Sequence, residues 1–230
     1  MVRTLPLQGR DPQFENKNLQ RVFVNPATIR KSGSAHMEDL ISFFQEMGKL
    51  KKLKRRGWVI DGVKEPESVS EHSWRTALMV MVLGEERNID LERAIKMALI
   101  HDVPELIAGD IVETDKGKFY VSPGTEILKE KFDKVSERGK IKIEEESARE
   151  ILPGEYFKLW KEFQEGNTKE ARFVKDADRL ELALQAYEYE CDGNYTSANL
   201  RHYYAYCRDK IKDPELLKLL REIEAKRPKE

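Results

Sequence analysis

From Met37 onward, apolar residues recur every three or four positions, the spacing that places side chains on one face of an α-helix. A first helix is predicted directly after Met37, with apolar positions at Leu40, Ile41, Phe43, Phe44, Met47 and Leu50. A second is predicted to begin near Ser68 or Ser70, because Ser68 and Glu71 have the spacing of a capping box. Its predicted apolar face comprises Trp74, Ala77, Leu78, Met81 and Val82.

Start and stop residues mark the other helices. Asp90 is a favourable N-cap for a third helix, which is predicted to end near Gly109. Residues 110–124 contain turn formers without a clear period and are predicted to be a loop. Further helices are predicted over about 125–152, from Pro153, after Thr168 and on either side of Asp213-Pro214. No segment alternates convincingly enough to predict a strand, so the predicted fold class is all-α.

The first 36 residues differ from the rest of the chain in composition. They have little helical periodicity and end in a run of small residues just before His36 and Met37. Three explanations remain open: a vector-derived leader, an over-extended gene start with Met37 as the true start, or a native arm. The composition break favours the first two. We therefore expect residues 1–36 to be a leader in which His36 has no function, and residues 37–230 to form one domain.

The charge balance restricts the possible partners. Charged residues make up 36% of the chain, but 41 Lys and Arg face 42 Asp and Glu, for a net charge of -1. This balance argues against a broad basic surface for nucleic acid, so any anion must be recognised locally.

Cysteine usage and hydropathy indicate the compartment. The only two cysteines, Cys191 and Cys207, are too few to staple a chain of 230 residues, which favours a reducing environment. No segment approaches the roughly 18 apolar residues of a membrane span, and the N-terminus lacks the apolar core of a signal peptide. We expect a cytoplasmic protein without membrane contacts.

Histidines are rare, so their positions are informative. His72 lies in the first turn of the second predicted helix, and His101 is followed directly by Asp102. Asp178 lies one turn after Val174, at the edge of a stripe that should face the core, where a carboxylate is costly unless it is paired or binds a metal. Each motif alone is more often structural, as a helix cap or a chance pair. Together they indicate a metal site.

Ligand chemistry narrows the choice of metal. Two neutral imidazoles and two carboxylates suit Mn²⁺, Co²⁺, Fe²⁺, Ni²⁺ or Zn²⁺, and are too rich in nitrogen for Mg²⁺ or Ca²⁺. Such a set contains no thiolate and leaves coordination positions open, as catalytic sites require. We therefore predict one divalent transition metal.

This pattern resembles the HD-domain metal-dependent phosphohydrolases, whose signature is a His, then a His-Asp pair, then a distant Asp. Within that family the chain is most similar to the 5′-deoxynucleotidases. The matching segments are residues 57–59, 67–73, 98–105, 109–111 and 173–178, spread over about 37–192. The resemblance implies an HD-domain helical bundle, a homodimer, and hydrolysis of nucleoside 5′-monophosphates with a preference for deoxyribose. A different phosphate ester, namely a cyclic nucleotide, a guanosine tetraphosphate-like signal or a phosphorylated metabolite, stays open, as does a catalytically silent nucleotide-binding protein.

The resemblance also implies roles for individual residues. It makes Glu105 an acid-base residue, places Asp110 at the substrate or the catalytic water, and puts Trp58 at the sugar, where it disfavours a 2′-hydroxyl. The alternatives are a solvated surface carboxylate for Glu105, a turn residue for Asp110 and core packing for Trp58. The implied metal ligands are His72, His101, Asp102 and Asp178.

One position departs from the bacterial members, which have an arginine directly before the tryptophan to bind phosphate. Gly57 occupies that position here. Arg55 or Arg56 could reach the phosphate instead, because a guanidinium binds it through two parallel hydrogen bonds. The basic cluster over residues 49–56 has a second explanation, since cations stabilise the C-terminal end of a helix.

Overall fold

The computed structural model describes residues 33–113, 119–121, 137–152, 154–193 and 200–228. Helices dominate these ranges, and the predicted all-α class is confirmed. The helices are α1 Gly33–Met47, α2 Arg56–Ile60, α3 Val69–Gly84, α4 Leu91–Ile100, α5 Glu105–Ala108, α6 Glu137–Ile151, α7 Gly154–Glu165, α8 Lys169–Asp192, α9 Arg201–Lys210 and α10 Pro214–Ala225. A 3₁₀ turn, Gly48–Lys51, follows α1.

Helix α8 lies at the centre of the bundle, in contact with α3, α4, α7, α9 and α10. Its core-facing positions include several alanines, which have no long side chain to hold neighbouring helices apart. These buried alanines are Ala171, Ala177, Ala183 and Ala186. Because α3 and α4 both pack on this helix, residues on all three can converge on one point.

Local capping interactions begin the helices where the sequence predicts. Ser68 Oγ accepts the Glu71 N–H and the Glu71 carboxylate accepts the Ser68 N–H, so the predicted capping box begins α3. The predicted caps Asp90 and Thr168 likewise accept backbone N–H groups at the starts of α4 and α8. Asp213 does the same for α10, with Pro214 at its first position.

The predicted third helix is interrupted. Helix α4 ends at Ile100, and the separate α5 carries the chain on to Gly109. Pro104 explains the break, because its ring would clash with the carbonyl of Ile100 and it has no N–H to donate. Gly109 then ends α5 at a φ of 76°, a conformation that favours glycine.

A pair of short strands and the short helix α2 were not predicted. The expected loop over residues 110–124 contains an antiparallel pair of strands, β1 Ile111–Glu113 and β2 Phe119–Val121, with Val112 opposite Tyr120. Three residues are too few to show an alternating pattern. Helix α2, which is five residues long, is likewise too short to show a helical period.

The predicted apolar faces of the first two helices are wrong in part. Ile41 and Phe44 of α1 are 56% and 64% exposed, and four of the apolar residues predicted for the core side of α3 face outward. Helix α3 instead buries the side that carries His72, Ser73, Thr76, Ala77 and Val80. His72 on this buried side belongs to the site described below, so polarity is a poor guide to which side of α3 faces inward.

Two predictions extend beyond the described ranges. Of the helix expected over 125–152, α6 covers residues 137–151, and the part before 137 lies outside the described residues. Helix α1 begins at Gly33, so it crosses the domain boundary predicted after residue 36, and residues 1–32 lie outside the described ranges. No helix in the described ranges is both long and apolar enough to cross a bilayer.

Candidate metal centre

The two predicted histidines meet between α3 and α4. His72 lies in the first turn of α3 and His101 directly follows the last residue of α4. A short connection makes these consecutive helices antiparallel neighbours, so the start of one lies beside the end of the other. The two Nε2 atoms are 3.3 Å apart and both side chains are buried.

Both predicted aspartates lie at the same point. The Oδ1 atom of Asp178, from α8, is 2.9 Å from His72 Nε2 and 3.8 Å from His101 Nε2. The Oδ2 atom of Asp102 is 3.6 Å from His72 Nε2 and 3.2 Å from His101 Nε2. Side chains separated by up to 106 residues along the chain therefore present four N and O atoms to one centre.

These separations fit a metal ion. Bonds of about 2.0–2.2 Å at angles between 90° and tetrahedral hold ligand atoms roughly 2.8–3.6 Å apart. Four of the five distances given above lie between 2.9 and 3.6 Å, and the fifth, from Asp178 Oδ1 to His101 Nε2, is 3.8 Å. One ligand atom from each of His72, His101 and Asp102 lies within 4.8 Å of the other two.

The histidine tautomers support the same interpretation. His101 Nδ1 lies 2.7 Å from the carbonyl of Ala98, which can only accept, so Nδ1 must carry the proton. His72 Nδ1 lies 2.5 Å from a carboxylate oxygen of Glu181. Both Nε2 atoms then present lone pairs to each other and to the two aspartates. Such an arrangement is repulsive unless a proton or a metal ion lies between the lone pairs.

The carboxylates around the two histidines favour a positive charge at the centre of the cluster. Burial and Arg55 act to lower the pKa of His72, but Glu181 and Asp178 raise it well above its usual value. Burial also opposes the rise in the pKa of His101, which is caused mainly by Asp102. The carboxylates therefore outweigh desolvation, and the site attracts a cation.

Of the two candidate arginines, Arg55 reaches this cluster. Its Nη1 donates to Asp102 Oδ2 at 3.0 Å, and its side chain is only 17% exposed. Arg56 is held through its backbone, whose N–H donates to Asp110 Oδ2 at 2.6 Å. Asp110 therefore fixes the start of α2 and is more than an isolated turn residue.

Glu105 lies one turn beyond the His-Asp pair, in α5. Its Oε2 atom is buried and has no hydrogen-bond partner among the described residues, which argues against a solvated surface carboxylate. Burial, together with the nearby charges of Asp102 and Asp110, raises the pKa of Glu105 well above its usual value. A buried carboxyl group without a partner is a candidate for contact with substrate or water.

Trp58 is part of the core and lies close to the site. Its ring is 1% exposed and packs edge-on against Tyr189, at 5.2 Å between ring centroids. It also packs against Tyr203 at 4.3 Å, with the two ring planes tilted by 47°. Its Nε1 donates to Glu67 Oε1 at 3.0 Å. A Cβ atom on Gly57 would lie 2.8 Å from the Tyr203 hydroxyl, so a larger residue such as arginine before this tryptophan would require the tyrosine to move.

Three charged residues near the cluster were not predicted from the sequence. Glu181 is fully buried, contacts His72 and accepts a hydrogen bond from Arg75 Nε at 2.8 Å. Glu67 is also buried, beside Trp58. The spacing could have identified two of them. Glu181 follows Asp178 by three residues, and Arg75 follows His72 by three, so each lies on the same helix face as a predicted metal ligand.

The antiparallel helices α3 and α4 and the central helix α8 enclose the cluster of histidines and aspartates. This arrangement defines a helical, metal-binding fold of the HD type. An HD domain family model matches residues 47–218, and this chain belongs to that family, as its sequence pattern predicts. Human 5′-deoxynucleotidase HDDC2 is 35% identical over 211 residues, which cover 89% of this chain and 92% of the human protein. The Dictyostelium discoideum protein of the same name is 38% identical over 200 residues, covering 83% and 100% of the two chains.

Solved structures confirm the fold. A protein from Pyrococcus horikoshii OT3 superposes with a TM-score of 0.62 at 34% sequence identity, over 80% of this chain and 98% of that one. The family to which the chain belongs binds a divalent metal, and the cluster described above has the donor atoms for one.

Proposed function

We propose that this protein is a metal-dependent 5′-deoxynucleotidase, which hydrolyses deoxynucleoside 5′-monophosphates to nucleoside and phosphate. The observation that carries the proposal is the convergence of two imidazoles and two carboxylates on one centre, with the guanidinium of Arg55 beside it. Relatives that are 35% and 38% identical to this chain over the aligned residues carry the name 5′-deoxynucleotidase.

We propose that the metal ligands are His72, His101, Asp102 and Asp178, and that the metal is one of Mn²⁺, Co²⁺, Fe²⁺, Ni²⁺ or Zn²⁺. When bound, such an ion lowers the pKa of a coordinated water and polarises the phosphoryl group. The protein's own contribution is a set of ligand atoms already close to their bonding positions, so little rearrangement is needed on binding.

Arg55 is proposed to bind the phosphate. Its contact with Asp102 holds the guanidinium next to the cluster, where the phosphate of a substrate would lie. A guanidinium offers several N–H donors in one plane, so it can stabilise the charge on two phosphoryl oxygens at once. Asp110 supports this arrangement by holding the backbone of the next residue, Arg56.

Glu105 is proposed to handle the proton transfer. Hydrolysis joins the oxygen of water to phosphorus, breaks the bond from phosphorus to the 5′-oxygen, and requires a proton on that leaving oxygen. A carboxyl group whose pKa is raised keeps its proton more readily than an ordinary carboxyl group and can pass it to the leaving group. Trp58, held by Glu67, is proposed to form a rigid wall on the sugar side that disfavours a 2′-hydroxyl.

The test is phosphate release from paired deoxyribo- and ribonucleoside 5′-monophosphates, measured together with the metal content of the purified protein. We expect about one divalent metal per active site and faster turnover of the deoxyribonucleotides. His72→Ala and Asp102→Ala should each abolish hydrolysis while keeping the helical circular dichroism. Near-wild-type turnover by either variant after metal removal would refute the ligand set, and release only from cyclic or non-nucleotide esters would refute the substrate.

We further propose that the protein is cytoplasmic and that it forms a homodimer. The two described cysteines, which form no disulfide, support a reducing compartment. The outer face of α3 supports the homodimer. This face exposes large apolar side chains at helical spacing, a feature more typical of protein contacts than of solvent-exposed surface. The residues are Trp74, Leu78, Met81 and Val82, between 38% and 63% exposed. Light scattering should give twice the chain mass for the wild type and the monomer mass for Val82→Glu. Equal masses for the two proteins would show that this face of α3 is not the dimer interface.

A further inference from the structure

His72 has a second contact that the proposed reaction does not use. Its Nε2 atom faces the metal cluster, and its Nδ1 atom lies 2.5 Å from Oε2 of Glu181. Both side chains are completely buried. An imidazole with a carboxylate at one nitrogen carries its proton there, so the other nitrogen is left with a lone pair.

Glu181 is itself fixed by Arg75. The guanidinium of Arg75 approaches Oε1 of Glu181 with both Nε, at 2.8 Å, and Nη2, at 2.7 Å. The remaining terminal nitrogen, Nη1, donates to Glu188 at 2.5 Å, and Nη2 also donates to Gln185. The two oxygens of Glu181 therefore have separate partners, with His72 on one and Arg75 on the other.

Charge explains why a carboxylate can lie at this depth. The imidazole of His72 lies against one oxygen of Glu181 and the guanidinium of Arg75 lies against the other, so the buried carboxylate is paired on both sides. A negative charge on the far side of the imidazole increases the electron density available at Nε2 and holds the ring in one orientation.

The two histidines obtain this support from different sources. His101 has the backbone carbonyl of Ala98, three residues earlier. His72, in the first turn of α3, depends on a side chain from α8, the same helix that provides Asp178. One face of α8 thus contacts both nitrogens of a single imidazole.

We infer that Glu181 is a positioning residue for the metal centre, which fixes the tautomer and orientation of His72 so that its Nε2 lone pair points to the cation. Arg75 holds Glu181 in place for this task. The inference rests on the proposed function, because it requires His72 to be a metal ligand. It predicts that a change at Glu181 weakens metal binding even though the carboxylate never touches the metal.

The experiment is calorimetric titration of the chelator-stripped full chain with Mn²⁺ and with Co²⁺. Glu181→Gln keeps the size and one acceptor oxygen but removes the charge, so we expect its Kd to rise about 10-fold. Glu181→Met removes both, and we expect a rise of about 100-fold. The absorption bands of bound Co²⁺ should shift in both variants, because the ligand field at His72 changes.

Glu188→Gln is the matched control. Glu188 contacts the same arginine, on the same helix, and is partly exposed, but has no contact with His72. Its Kd and Co²⁺ spectrum should equal those of the wild type. If Glu181 had only a structural role, its variants would unfold at lower temperature but bind metal with wild-type affinity and spectrum, and the inference would be wrong.

Failure of the inference can be told apart from failure of the proposed function. A wild-type chain that binds neither metal would overturn both, whereas wild-type affinity in both Glu181 variants would overturn the inference alone. The tautomer can also be read in the unaltered protein, independently of any variant that fails to fold. In the Zn²⁺-loaded, ¹⁵N-histidine-labelled wild type, we expect a proton on His72 Nδ1 and metal coordination at Nε2; coordination at Nδ1 would contradict the inference.

Discussion

Arg55 donates from Nη1 to Oδ2 of Asp102 at 3.0 Å, although the two residues are 47 positions apart. The contact joins the segment before α2 to the His-Asp pair after α4. It places the guanidinium at the cluster, whereas Arg56 is attached to Asp110 by its backbone. The two arginines are adjacent in the chain, yet their structural positions differ.

This difference makes opposite predictions for the two arginines. Arg55→Lys keeps the charge but loses the planar array of donors, so we expect kcat/KM for a deoxynucleoside monophosphate to fall about 100-fold. Arg56→Lys should lower kcat/KM by no more than about threefold, because Arg56 contacts Asp110 through its backbone N–H, which the substitution keeps. Steady-state kinetics at equal metal content would measure both. A larger loss for Arg56→Lys would reverse the assignment.

Glu105 provides a test of proton transfer. Glu105→Gln has nearly the same size but cannot exchange a proton, so we expect kcat to fall by about 10²- to 10³-fold with little change in KM. The metal content should stay at the wild-type level, because Glu105 is not among the proposed ligands. An unchanged kcat would show that this buried carboxyl group has no part in the chemistry.

Trp58 provides a test of sugar selection. Trp58→Ala should narrow the ratio of kcat/KM between deoxyribo and ribo substrates, because it removes the proposed wall on the sugar side. The variant also leaves a cavity in the core, which should lower the free energy of unfolding by about 3–5 kcal/mol. Both proteins must therefore be assayed well below their unfolding temperatures. Trp58→Phe, which keeps an aromatic ring but loses the bond to Glu67, is the control. If the ratio is the same in all three proteins, Trp58 contributes packing alone.

The two cysteines test the packing of α8 against α9. Cys191 is exposed, whereas Cys207 is fully buried, and its thiol donates to the carbonyl of Arg179 at 3.0 Å. Burial raises the pKa of Cys207 to about 12, so its reactive thiolate is rare at neutral pH. A thiol reagent should label only Cys191 in the native protein and both residues in denaturant. Rapid native labelling of Cys207, checked by peptide mapping, would mean that α9 is not packed as described.

The starts of α3, α4, α8 and α10 could be predicted because the determining interactions are local. Ser68 and Glu71 form their capping box within four residues, and Asp90 and Thr168 cap their helices over the same range. Helix ends were less predictable. The effect of Pro104 on α4 was overlooked, and α2 is too short for any periodic pattern.

The inward face of α3 could not be predicted from hydrophobicity. Trp74 and Val82 look like core residues, but they are 63% and 60% exposed, while His72 and Thr76 are completely buried. Periodicity identifies two opposite faces of a helix without showing which neighbours cover each one. Those neighbours, α4 and α8, carry the partners of His72 and bury the polar side.

Residue types and their spacing predicted a helical chain and selected two histidines and two aspartates as candidate donors, since helix signals and ligand chemistry depend on short segments. The HD type was predicted from the resemblance to that family. The partners that orient those donors required the folded structure. Glu181 lies 109 residues from His72. Its spacing from Asp178 places it on the same face of α8 as that residue, but only the packing of α8 against α3 shows that it contacts His72. Contacts of this kind arise only when separate helices pack, because packing sets which side chains share a buried point and have to neutralise one another's charge.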